Sequence, residues 1–116
     1  MAFAGWFGIA VGAGMIGQWL MSYFTHQIPE LKSEPIRIGF HLAAELATAL
    51  LLIISGILLL SQAVIAESLF LIGAGMLFYT CIVSPGYFAQ RGQWGWLVMF
   101  GSLIGIGVIA ILRVLG

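Results

Sequence analysis

Three features of the chain point to an all-α integral membrane protein, an antiparallel bundle of four transmembrane helices. Its 116 residues are 62% hydrophobic and only 7% charged, where a soluble domain carries about 25% charged residues. Four apolar runs approach or exceed the roughly 20 residues that a helix needs to cross a bilayer. The stretches between them are short, which makes successive helices antiparallel neighbours. Other classes fall away on the same numbers. Cys81 is the single cysteine, so there is no disulfide scaffold. Apolar content this high does not stay disordered. Lys32, Arg37, Arg91 and Arg113 are the whole basic complement and the formal net charge is zero, which argues against nucleic acid as a partner. A membrane β-barrel would alternate polar and apolar residues along each strand, and these runs do not alternate.

The first helix is expected over 3–24. No basic residue precedes it and Gln18 sits in its second half, so it reads as a retained helix and not as a signal peptide. Residues 25–35 form the first loop, where Ser33 is expected to cap the second helix, with Pro35 in its first turn. That helix runs over 36–60. A loop without basic residues leads to the third helix, 68–84. The third loop, 85–93, opens with Pro85-Gly86 and is flanked by Tyr87, Phe88, Trp94 and Trp96, aromatic residues suited to the headgroup level. The fourth helix is expected over 94–112. Lys32, Arg37 and Arg91 mark the side of the first and third loops, against Arg113 alone on the other. The excess places loops 25–35 and 85–93 in the cytoplasm and both termini outside, in what is expected to be the plasma membrane.

One internal echo runs through the chain. Val11-Gly12-Ala13-Gly14-Met15-Ile16 resembles Ile72-Gly73-Ala74-Gly75-Met76-Leu77, about half a chain away. It reads either as a parallel duplication of a helix pair or as coincidence between two Gly- and Ala-rich spans.

Polar residues inside the runs define the candidate site. At 100° per residue, His41, Glu45, Thr48 and Ser55 fall within a stripe about 80° wide. Gln18, Ser22, Thr25 and His26 share a face of the first helix, and Thr80 and Ser84 line up on the third beside Tyr79 and Cys81. Gln18, Ser22, His26, His41, Glu45, Thr48, Thr80 and Ser84 fall in one half of the membrane. Glu45 lies eight residues beyond Arg37, about 12 Å deeper along a helix. A carboxyl at that depth costs roughly 2.5 kcal/mol or more and marks a functional site by default. With His41 one turn above it, the two would titrate as a coupled pair. The ion- or ligand-binding set is therefore Glu45, His41, Gln18, Thr48, Tyr79 and Thr80. The plainer alternative is a Glu45 that only staples helices together.

His26, His41 and Glu45 also make up a recognised ligand set for zinc or iron, which would make the protein metal-binding. Apart from such a divalent metal no cofactor is expected. No Asp is present for a triad, and no P-loop or dinucleotide fingerprint occurs, so no catalytic residue is assigned and an enzyme is the lesser reading, one that would follow only from an open metal site. Gly8-x-x-x-Gly12 and Gly101-x-x-x-Gly105 allow close helix approach. They are read as the seam of a homodimer or higher homo-oligomer in the lipid bilayer. The size and four-helix plan resemble those of the small multidrug-resistance exporters, which work as dimers around an intramembrane Glu. In that family the Glu is on the first helix and here it is on the second, so the likeness implies architecture alone. The functional expectation is transport or permeation of a small solute or cation. The alternative is a structural or accessory subunit without a ligand of its own.

Overall fold

The computed structural model describes residues 2–25, 30–90 and 92–116, with the side chains of 30, 31, 87 and 88 outside the description. Four long helices account for most of it: α1 (Ala2–Phe24), α3 (Pro35–Leu60), α4 (Ala66–Gln90) and α5 (Gly95–Leu115), with one short turn of helix, α2 (Glu30–Ser33), before α3. All four long helices are long and apolar enough to cross a membrane. The long axis of the molecule, 44 Å, matches a bilayer with its headgroups, about 40–45 Å thick.

The helices form a ring of antiparallel neighbours. α3 packs between α1 and α4, and α5 closes the bundle against α4 and α1. Glycines set the register. A Cβ on Gly5 would stand 2.9 Å from the Gly56 carbonyl oxygen, one on Gly8 2.7 Å from that of Leu52, and one on Gly12 2.5 Å from that of Ala49. The α1 and α3 backbones therefore touch, an approach that only glycine permits. Gly73 meets the Leu52 side chain at the α3–α4 contact, and Gly107 meets the Phe78 ring between α4 and α5. At the end carrying the chain termini, the Arg113 guanidinium lies 5.7 Å from the centre of the Phe3 ring.

Packing is uneven along the bundle. The buried residues of α1 are Ala4, Gly5, Phe7, Gly8 and Gly12, all in its first half. α4 has no buried residue beyond Cys81 among those described, while α3 is buried from Glu45 onward apart from Ile38 nearer its start. Among the described residues the termini end is thus close-packed and the opposite end is loosely packed. Leu46, Leu50, Ile54 and Ile57 of α3 are exposed on its outer face, and Ile53 is half-buried and meets Gly12.

Three local expectations are corrected. α4 does not stop at Ser84; it continues through Pro85 to Gln90, so most of the third loop expected at 85–93 is helix. Proline removes one N–H and crowds the carbonyl four residues back, but in a membrane an ended helix leaves more bare backbone than a kinked one. Ser33 does not cap the second long helix. It ends α2, and Glu34 holds the cap position without a side-chain cap bond, its carboxylate instead accepting from Arg37 at 3.0 Å. Finally, Gly8 and Gly12 lie inside the protomer against α3, so they are not free to form an oligomer seam.

Candidate functional site

The site is assembled on α3 where the close-packed half of the bundle gives way to the open half. Four-residue spacing puts His41 one turn above Glu45 on the inward face. The His41 Nε2 stands 3.4 Å from the Glu45 Oε1, and the exposures of the two side chains differ sharply, 41% for the imidazole against 5% for the carboxyl. His41 is the solvent-facing member of the pair and Glu45 the buried one.

The flanking helices complete the surroundings of the carboxyl. From α1, the Trp19 indole N–H donates toward Glu45, and from α4 the Thr80 hydroxyl does the same. The Trp19 ring also meets the His41 ring edge-on, with centroids 5.7 Å apart and an interplanar angle of 74°. Cys81, the next residue of α4, is buried. Three helices thus converge on one carboxyl at mid-bundle, and among the described residues no buried side-chain polar atom lacks a partner.

The remaining expected residues divide. Thr48 is buried one turn deeper, but its hydroxyl donates to the Ala44 carbonyl at 2.8 Å; its single proton is spent, so Thr48 offers the site only an acceptor. Ser55 donates to Leu52 at 3.2 Å in the same way. Gln18, Ser22 and Ser84 are half-buried in the open half, where Thr80 and His41 also lie. Tyr79 is 71% exposed on the outer face of α4; it does not line the site, because one residue of helix turns it about 100° away from Thr80. His26 lies outside the described residues. Among those described, no group of three or more His, Cys, Asp or Glu is placed to hold a metal ion, and we assign no metal ligand.

Trp19 is the residue that sequence reasoning missed. A tryptophan near a helix end reads as an interfacial anchor, and the polar-face argument selects Gln18 beside it. The signal available was the echo between the two halves, which aligns Trp19 with Thr80. A shallow depression of about 310 Å³ lined by Pro35, Ile36, Gly39, Phe40 and Ala43 lies on the other side of α3, away from Glu45.

Comparison with known proteins adds a family but no activity. No curated protein and no solved structure matches the chain. Over residues 1–116, its whole length, the chain belongs to the family described as Domain of unknown function (DUF8058).

Proposed function

We propose that this multi-pass membrane protein carries a small solute or cation across the plasma membrane, with Glu45 and His41 as its intramembrane ionisable site. One observation supports the reading above others. A buried carboxyl stands at the base of the loosely packed half of the bundle, beneath a half-exposed imidazole and bonded by Thr80, and Gln18, Ser22 and Ser84 are half-buried in that same half. A carboxyl at that depth is costly and marks a functional site by default. A change in its charge within a low-dielectric bundle would bias two arrangements of the helices. The loop end at 25–35 is read as cytoplasmic from its basic residues. The working unit is a homo-oligomer whose seam is the exposed α5 face of Gly101 and Gly105, where a side chain would meet nothing within 4 Å.

The test is flux in proteoliposomes, read with proton, sodium and potassium indicators. The expected result is a flux that Glu45→Gln abolishes. A flux indifferent to that change, or none at all, overturns the proposal in favour of an accessory subunit in which Glu45 staples three helices. Co-purification with a larger complex would then be the expected behaviour.

A further inference from the structure

We infer that Trp19 is a positioning residue that gates Glu45: the half of α1 beyond Gly12 moves as a unit, and the indole latches it over the carboxyl. The inference rests on reading Glu45 as the functional site. Every buried residue of α1 lies at or before Gly12, so its first half is held by backbone contact with α3. Beyond that point no described residue is fully buried, and Met15 packs only partly buried against the core. Thr25 donates back to the Met21 carbonyl of its own helix, and the Tyr23 ring packs on its neighbour Phe24. Trp19 reaches across instead, to Glu45 by its N–H and to His41 by its ring.

The middle of α1 suits bending. A side chain on Gly14 or Gly17 would meet nothing within 4 Å, and glycine weakens a helix interior without packing to compensate. Breaking the indole contact therefore loosens a segment that is otherwise held by partly buried side chains, chiefly Met15 against the core. The indole meets the carboxyl from the α1 side and the Thr80 hydroxyl from the α4 side, and buried Cys81 follows Thr80 on α4. With the latch open, Glu45 and Cys81 become accessible together.

Cys81 supplies a built-in probe, because it is the single cysteine of the chain and is 1% exposed. The experiment is alkylation of Cys81 by a small maleimide, with the protein in lipid nanodiscs and its melting temperature measured alongside. Trp19→Ala is expected to accelerate labelling about tenfold or more, the factor that follows from losing about 1.4 kcal/mol of closing free energy. Trp19→Phe, which keeps the ring and removes the N–H donor, gives a smaller acceleration and guards against misfolding of the alanine variant. Trp6→Ala, at an exposed position in the packed half, leaves the rate unchanged. An unchanged rate in both Trp19 variants overturns the inference, and so does equal acceleration by Trp6→Ala, which would mean general loosening. The labelling needs no transport, so a failed latch and a failed flux reading are told apart.

Discussion

Trp19 and Thr80 each stand seven residues beyond a glycine that packs on α3, Gly12 and Gly73 respectively, and both direct a donor at Glu45. Seven residues are close to two helical turns, so each donor lies almost directly along the helix from its glycine. The close glycine contact brings the helix to α3, and the donor two turns on meets the carboxyl. The glycine in each of the two similar hexapeptides, with the donor seven residues beyond it, therefore meets α3 from two sides.

Two donors sharing one acceptor should not contribute independently. Trp19→Phe and Thr80→Val are each expected to lower stability by about 0.5–1.5 kcal/mol. In a Glu45→Gln background each substitution should cost less. Thermal unfolding of the four combinations in one detergent measures the coupling, and strict additivity would separate the two contacts.

The glycine pairs should behave oppositely. Gly8→Leu and Gly12→Leu drive a side chain into the α3 backbone and are expected to lower protomer stability by about 1–3 kcal/mol or more. Gly101→Leu and Gly105→Leu enter open space and should leave the melting temperature nearly unchanged while weakening self-association. Melting curves read the first effect and detergent-corrected light scattering the second.

How legible the fold and site were follows from the range of the forces involved. Hydropathy is summed over a whole span, so the four long helices and their antiparallel order were readable. Periodicity placed His41, Glu45, Thr48 and Ser55 on one inward face of α3, where they lie. What a single residue of rotation decides was not readable. Gln18 and Trp19 differ by about 100° on α1, as do Tyr79 and Thr80 on α4, and only packing selects between them. The partner of Gly8 and Gly12 was equally hidden, because a small-residue stripe is the same whether it faces α3 or a second copy. Pro85 misled for a related reason: it breaks helices in water more readily than in lipid, where exposed backbone is costly.

Tyr79 provides a direct check on that rotation. Since it faces outward, Tyr79→Phe is expected to leave any Glu45-dependent flux unaltered, whereas Thr80→Val one position on should reduce it. Parallel flux assays on the two variants suffice. A larger loss from Tyr79→Phe would return Tyr79 to the lining of the site.

The turn between α3 and α4 offers a stabilising substitution. The Gln62 N–H donates to the Leu59 carbonyl at 3.1 Å and the Ala63 N–H to that of Leu58 at 3.0 Å. That pair of bonds is a Schellman ending. It requires a left-handed residue between them, and Gln62 adopts φ of 59° although its Cβ makes that conformation costly by roughly 1–2 kcal/mol. Glycine takes the same geometry without the clash and usually fills this position. Gln62 is exposed, so no packing is lost on replacing it. Gln62→Gly is therefore expected to raise stability by about 1 kcal/mol, less whatever the added freedom of the unfolded chain takes back. Gln62→Val, with a β-branched side chain at positive φ, should lower it. Melting temperatures of both variants in the same detergent decide the matter, and a destabilised glycine variant would mean that the α3 ending is held by something other than this backbone geometry.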